Sequence, residues 1–256
     1  MLESPCPTPT GGRLELLGVP VDACTKVEAL QRCAAAVEGT GPPLQVVTLN
    51  PEMVMQARRN HELGEVIRCA GLVLADGSGI TWAASQLGRP LPERIPGVDF
   101  LQALCAEAAL RQWGVFLLGA APGVAAEAGR KLVSQSPGLR VSGTASGSKG
   151  EAEAAELCRT VRDSGADLLA VAFGVPSQDL WLGRHLADTG CRLGLGVGGT
   201  LDYLSGRVPR APLWMRRAGF EWSFRLLRQP ARLPRMLRGS LFFAAVRSSA
   251  RGGGPR

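Results

Sequence analysis

The chain has 256 residues, of which 45% are hydrophobic and 20% charged, a composition that excludes a disordered chain and suits one α/β domain with an appendage. No run of about 18 apolar residues occurs, so no membrane-spanning helix is predicted. The net charge of +7 is uneven, because residues 205–256 hold twelve arginines, no lysine and one acid, Glu221. That part therefore carries +11 and the rest −4, which predicts an anionic partner such as phosphate, nucleic acid or a membrane surface.

Seven scattered cysteines without a CxxC pair indicate reduced thiols and a cytoplasmic protein. Residues 1–12 lack the charged and apolar segments of a signal peptide, and we expect a disordered leader there. The expected division continues with an α/β catalytic core at 13–205, a basic membrane-associating appendage at 206–247 and a disordered tail at 248–256.

Short apolar runs alternate with helical patterns along the core. Strands are predicted at 14–21 (with a turn), 46–49, 72–75, 115–118, 139–142, 167–172 and 193–197. Helices are predicted at 25–37, 52–60, 62–69, 80–87, 100–111, 124–134, 151–163 and 180–187, and in the appendage at 213–219, 221–228 and 235–247. This alternation is typical of a mainly parallel, Rossmann-like α/β sheet flanked by helices, here with an Arg-rich helical C-terminal appendage.

Polar residues follow two of the predicted strands directly. Thr48 and Asn50 stand at the end of one strand, and Asp76 stands at the end of the next. Because ligands of open α/β sheets bind beyond the carboxyl ends of the strands, we expect a ligand cleft here. A carboxylate at the position of Asp76 can act as a general base toward a hydroxyl, although a turn-stabilising Asp has the same local pattern.

Two further strand ends are rich in glycine, and a third carries a polar amide. Gly119-x-x-Pro-Gly123 suits a phosphate or an ordinary βα turn, and it lacks the middle glycine of the GxGxxG dinucleotide pattern. Gln178 offers both a donor and an acceptor for a base or sugar edge, or else caps the following helix. Gly199 and Asp202 follow the last predicted strand.

Four arginines of the appendage have the spacing of one helical face, which Pro230 and Pro234 interrupt: Arg225, Arg228, Arg232 and Arg235. Guanidinium groups bind phosphate bidentately. The alternative, a solvated charged face, is weakened here because counter-charges are missing. Aromatic residues such as Trp214 lie among the arginines, a mixture that fits a membrane interface. No nucleic-acid motif accompanies them, so no nucleic-acid partner is predicted.

Metal-dependent chemistry has little support in the sequence. The chain contains two histidines, His61 and His185, and no Asp-x-Asp, P-loop or HExxH pattern. A diphosphate leaving group would then be neutralised by arginines and backbone N–H groups, without a metal.

Eight ordered motifs together resemble one family. They are TLNPE (48–52), ADGSGI (75–80), ERIPGVD (93–99), FLLGAAPG (116–123), GVPSQD (174–179), GVGGTLD (196–202), RAP (210–212) and EWxxR (221–225). In this order, over about residues 14–240, they resemble the WecG/TagA/CpsF glycosyltransferases.

The resemblance implies an inverting glycosyltransferase without metal or cofactor that acts in cell-surface polysaccharide synthesis, such as that of teichoic acid. Its donor would be a UDP-sugar carrying N-acetylmannosamine or its uronic acid, and its acceptor a polyprenyl-diphosphate-linked saccharide. It also implies a cytoplasmic protein peripheral on the inner face of the cell membrane, held there by the Arg/Trp tail, and a homo-oligomer is compatible with it.

The resemblance makes Asp76 the general base and assigns a set of substrate-binding residues: Thr48, Asn50, Arg94, Gly119, Gln178, Gly199, Asp202, Arg225, Arg232 and Arg235. Two departures from the family pattern leave the donor sugar open. Ser148 stands where the family often has tyrosine, and PSQD (176–179) stands where PKQE is usual.

Two other functions fit parts of the sequence. A Rossmann-type dinucleotide-dependent enzyme would use Gly119–Gly123, against which the incomplete glycine pattern counts. A non-catalytic membrane-associated binding protein would use the Arg/Trp tail and would leave the polar strand ends unexplained.

Overall fold

A computed structural model describes residues 12–147, 150–217, 221–228 and 233–252, with the backbone alone at some appendage positions that include Arg225 and 233–239. Residues 1–11 of the predicted leader, Ser148, Arg232 and residues 253–256 of the predicted tail lie outside the described residues.

The strands of the described chain are β1 (Arg13–Leu16), β2 (Val19–Asp22), β3 (Leu44–Leu49), β4 (Leu72–Ala75), β5 (Gly114–Gly119), β6 (Arg140–Ala145), β7 (Leu168–Ala172) and β8 (Leu193–Gly196). The core helices are α1 (Lys26–Glu38), α2 (Pro51–Ala57), α3 (His61–Cys69), α4 (Ser78–Gln86), α5 (Gly97–Arg111), α6 (Val124–Gln135), α7 (Glu151–Asp163), α8 (Ser177–His185) and α9 (Thr200–Leu204), with a 3₁₀ turn at Leu186–Thr189. The appendage forms α10 (Leu213–Arg217), α11 (Glu221–Arg228) and α12 (Leu233–Gly252).

Six strands form one parallel sheet in the order β4-β3-β8-β7-β5-β6, which confirms the predicted α/β class. The first predicted strand, 14–21, is instead a separate antiparallel hairpin of β1 and β2. Leu17 and Gly18 both take positive φ, 54° and 82°, which is the geometry that a tight hairpin turn requires.

Helices cover both faces of the sheet, which explains why the central strands are continuous apolar runs. On one face Val46 and Leu195 join the core beneath α5 and α6. On the other face Val47 packs with α2 and α12, and Leu169 packs with α8. The sheet therefore exposes its carboxyl edge, rather than a face, to ligands.

The order of the strands creates a crevice at that edge. β7 leads through α8 to β8 on one side, whereas the neighbouring β5 leads through α6 to β6 on the other side. The two helices pack on opposite faces of the sheet. Such a topological switch point is where open α/β sheets bind ligands, and here it lies between β5 and β7.

The last helix returns to the core beside the ends of β3 and β4. Phe242 and Val246 of α12 are fully buried in the cluster that contains α2 and α4. The ring of Phe243 lies 5.0 Å from that of Trp82. A methyl group on Gly79 would come within 3.2 Å of Phe243 Cζ, so the glycine permits this close approach. α12 continues to Gly252, beyond the helix end predicted at 247.

None of the described helices is both long enough and apolar enough to cross a membrane.

Replacing Phe242 with Ala should loosen α12 from α2 and α4, because a fully buried phenylalanine contributes about 3–5 kcal/mol to packing. The measurement is amide hydrogen exchange across 240–250, which should speed up strongly in the variant. Leu241→Ala is the matched control, since its side chain is 48% exposed and should change little. Equal exchange in the two variants would contradict the anchoring role of Phe242.

Candidate active site

Thr48 and Asp76 are brought together by the first turn of α5. A methyl group on the Cα of Gly97 would lie 3.2 Å from Thr48 Cγ2 and 3.5 Å from Asp76 Oδ2. Thr48, 6% exposed, donates its hydroxyl hydrogen to the Gly196 carbonyl at 3.1 Å. The ends of β3, β4 and β8 and the start of α5 thus meet around two predicted site residues.

The turn after β4 is fixed by a hydrogen bond at Asp76 and by the backbone conformation of Gly77. The backbone N–H of Asp76 donates to the Leu49 carbonyl at 2.8 Å, which extends the pairing of β3 and β4 by one residue. Gly77 then takes φ of 102°, a conformation that favours glycine, and α4 begins at Ser78. The position of the Asp76 side chain is therefore set by backbone geometry.

Asn50 has a structural role at the start of α2. Its side-chain oxygen accepts from the Met53 N–H at 3.0 Å, and Pro51 occupies the first helical position. The carbonyl oxygen stabilises the helix, so a ligand would have to meet the amide nitrogen.

Gln178 lies in the first turn of α8, buried against the end of β8. It is 1% exposed, and its side-chain oxygen accepts from the Gly198 N–H at 2.8 Å. A methyl group on Gly196 would come within 2.7 Å of Gln178 Nε2, so the strand end and the helix are in close contact. In this arrangement Gln178 fixes the glycine turn that leads to Gly199.

Asp179 was not among the predicted site residues, and it is fully buried. Neither of its carboxyl oxygens has a hydrogen-bond partner of good geometry within the described part of the chain. Burial raises the pKa of Asp179 to about 7, partly opposed by the neighbouring Gln178 amide and the residue's own N–H. The motif GVPSQD marks its position, but its burial depends on the packing of α8 against β8.

Gly119 is required by packing at the switch point. Its φ is 99°, and a methyl group there would lie 2.9 Å from the Ala172 carbonyl carbon. Gly123 caps α6 without a side-chain hydrogen bond, and Arg207 donates to the Pro122 carbonyl at 3.1 Å. The structure thus gives Gly119 a role in strand packing, at the place where the phosphate site is predicted.

Gly199 and Asp202 follow β8 at the same edge. Gly199 is the N-cap residue of α9, and the Asp202 carbonyl accepts from the Val208 N–H at 3.1 Å. Asp202 thereby holds the segment that leads into the appendage, and its partly exposed side chain lies one helical turn from the strand end.

Arg94 joins the core to the start of the appendage. Its guanidinium donates to the Arg216 carbonyl at 2.9 Å. Nearby, the guanidinium group of Arg210 donates two hydrogen bonds to the carboxylate of Asp99, at 2.5 and 3.0 Å. Asp99 and Arg210 were missed as site residues, although the motifs ERIPGVD and RAP contain them, because an ion pair between positions 111 apart leaves no local pattern.

The three predicted arginines of the appendage are not placed at this site. The side chains of Arg225 and Arg235 are not described, and Arg232 lies outside the described residues. Among the described residues, no group of three or more His, Cys, Asp or Glu is arranged to hold a metal ion.

Comparison with known proteins decides the class of this site. The model of the glycosyl transferase WecG/TagA/CpsF family matches residues 14–253. The chain belongs to the WecG/TagA/CpsF family. It is a glycosyltransferase, which supersedes both the dinucleotide-dependent and the non-catalytic alternatives.

Named relatives are similar along most of their length. An N-acetylglucosaminyldiphosphoundecaprenol N-acetyl-beta-D-mannosaminyltransferase of Bacillus spizizenii is 33% identical over 201 residues, 78% of this chain and 77% of the relative. A Bacillus subtilis protein with the same name is 30% identical over 75% of this chain and 74% of its own. One from Staphylococcus aureus is 28% identical over 93% of this chain and 94% of its own.

In this WecG/TagA/CpsF member, five of the motifs meet at one edge of the sheet. Thr48, Asp76 and Gly97 are in close contact, and Thr48 and Gln178 both bind the segment 196–198. Arg94 extends the site toward α10. These contacts link the ends of β3, β4 and β8 with the starts of α5 and α8.

Replacing Asp179 with Asn should change how stability depends on pH. The folded pKa of about 7 exceeds the usual 3.8, so the contribution of Asp179 to stability is greatest below about pH 4, falls as pH rises and levels off above pH 7. Asp179→Asn removes this ionisation, so the variant should lose less stability between pH 5 and 8 than the wild type. Urea unfolding at both pH values measures the difference, with exposed Asp163→Asn as control. Parallel pH profiles would contradict a buried, protonated Asp179.

Proposed function

We propose that this enzyme transfers N-acetylmannosamine from UDP-N-acetylmannosamine to N-acetylglucosaminyl-diphospho-undecaprenol, in the synthesis of a cell-wall polymer such as teichoic acid. The names of the three relatives supply the sugar and the lipid-linked acceptor. The observation that supports Asp76 as the catalytic residue is its position, together with Thr48, against the first turn of α5.

In the proposed reaction, Asp76 is the general base. Its carboxylate takes the proton from the acceptor hydroxyl as that oxygen bonds to the anomeric carbon. The bond from the anomeric carbon to the diphosphate oxygen breaks, and UDP leaves with the electron pair, inverting the configuration. The transition state resembles an oxocarbenium ion, by analogy with glycoside hydrolysis.

The surroundings of Asp76 suit this role. The carboxylate lies beside the N-terminus of α5, where the helix dipole stabilises negative charge, and α5 has no side-chain cap at its start. Thr48 is oriented by its hydrogen bond to Gly196, so the side chains of Asp76 and Thr48 are already in position when the acceptor binds. Arg94 and the appendage arginines Arg225, Arg232 and Arg235 would stabilise the charge that develops on UDP.

The acceptor is a lipid, and the appendage offers a surface for the membrane that contains it. Leu213, Trp214 and Leu227 are 61%, 67% and 81% exposed, in a segment rich in arginine. Apolar side chains combined with arginines favour an anionic membrane surface. We therefore propose peripheral binding at the inner face of the cell membrane.

Asp76→Asn should lower the rate of sugar transfer by about 10²–10⁴-fold, because the amide cannot accept the acceptor proton. The measurement is transfer from UDP-N-acetylmannosamine to a synthetic acceptor, read by mass spectrometry. Exposed Asp163→Asn is the control for removal of a carboxylate elsewhere. Transfer by folded Asp76→Asn at the wild-type rate would overturn the assignment.

UDP should stabilise the protein without any added metal. Binding at a concentration one hundred times Kd adds about 2.7 kcal/mol to the free energy of unfolding, which thermal unfolding detects readily. The shift should be the same in excess EDTA, since arginines and backbone N–H groups are proposed to hold the diphosphate. A shift that disappears in EDTA would contradict metal independence. Stabilisation by NAD but not by UDP would contradict the proposal that the donor is a UDP-sugar.

A further inference from the structure

Three arginines surround one carboxylate at the start of α5. Asp99, in the first turn of the helix, uses both oxygens to bind Arg210. Burial works against its ionisation, yet the hydrogen bonds and charge of Arg210, with the charges of Arg216 and Arg94, lower the pKa of Asp99 overall. Among these four groups, one negative charge faces three positive charges.

Arg216 is the member of this cluster with a buried side-chain nitrogen that lacks a partner among the described residues. Its Nε is buried and has no hydrogen-bond partner within the described part of the chain. Its backbone is nevertheless held in place, because its carbonyl accepts from Arg94 and its N–H donates to the Pro212 carbonyl at 3.1 Å. A buried guanidinium N–H without an acceptor is costly, and a bound anion would remove that cost.

The cluster adjoins the proposed catalytic residues. Asp99 lies two positions after Gly97, whose Cα approaches both Asp76 and Thr48. Arg94 lies three positions before Gly97 and contacts the Arg216 backbone. Positive charge therefore adjoins the proposed catalytic residues at the start of α5.

We propose that Arg216, assisted by Arg94, binds a phosphate group of a diphosphate-bearing substrate. This inference rests on the proposed function and adds a phosphate contact in α10 to the predicted arginines of α11 and α12. The two hydrogen bonds from Arg210 to Asp99 hold the start of the appendage against α5, and Arg216 supplies the N–H donors. The same chemistry is present in the UDP donor and in the lipid diphosphate of the acceptor.

The test is isothermal titration of the full-length chain and its Arg216→Gln variant with UDP, uridine and inorganic pyrophosphate, together with the KM for the acceptor. Loss of a charge-assisted pair should weaken phosphate binding by about 10- to 100-fold. If Arg216 binds the diphosphate of the donor, the variant binds UDP more weakly while its affinity for uridine is unchanged. If Arg216 binds the diphosphate of the acceptor, the affinity of the variant for UDP is unchanged and its KM for the acceptor rises. Either result supports the proposal.

Two more variants separate the loss of the Arg216 guanidinium from the mere loss of one positive charge. Arg216→Lys keeps the charge but loses the Nε donor and should recover a minor part of the affinity. Exposed Arg89→Gln, which also removes one positive charge, should bind like the wild type. A folded Arg216→Gln variant with wild-type affinity for UDP and pyrophosphate and an unchanged acceptor KM would overturn the proposal.

Failure of this proposal is distinguishable from failure of the proposed function. If the wild type transfers another sugar, the pyrophosphate titration still reports on Arg216. If the wild type transfers N-acetylmannosamine but Arg216→Gln matches it in every titration and in acceptor KM, the phosphate contact alone is wrong.

Discussion

The close approach of α5 to the ends of β3 and β4 is the constraint on which the rest of the site depends. Gly97 has no side chain, and a methyl group there would crowd Thr48 at 3.2 Å and touch Asp76 at 3.5 Å. Because the helix starts at that point, Arg94 and Asp99, on either side of Gly97, are carried to the same edge of the sheet. Through their contacts with residues 210–216, that edge becomes the place where the appendage begins.

The appendage is attached to the strand ends at both of its own ends. Arg207 and Arg210 bind its start to the β5–α6 turn and to α5, and Phe242 buries its last helix against α2 and α4. α2 follows Asn50 directly and α4 follows Asp76 after one residue. The last helix of the appendage therefore packs against the two helices that directly follow the ends of β3 and β4.

Much of this architecture could be predicted from local patterns. The runs Val46–Leu49 and Leu72–Ala75 form the strands that were expected, because strands buried on both faces are continuously apolar. The segment 14–21 was predicted as one strand with a turn, whereas positive φ at Leu17 and Gly18 divides it into the two strands of a hairpin. Ordered motifs correctly indicated the glycosyltransferase family, whereas roles such as that of Asp76 as base stay predictions.

The sequence by itself determined the strands, the glycine turns and the family, because periodicity, backbone conformation and motif order are properties of neighbouring residues. The tertiary structure alone decided which distant groups meet. Asp99 and Arg210 are 111 positions apart, Thr48 and Gly196 are 148 apart, and strand order rather than chain order brings such pairs together. Burial, which raises the pKa of Asp179 and leaves Arg216 Nε without an acceptor among the described residues, depends on those long-range contacts. No local sequence pattern indicates these long-range contacts, since they form only when the helices pack on the sheet.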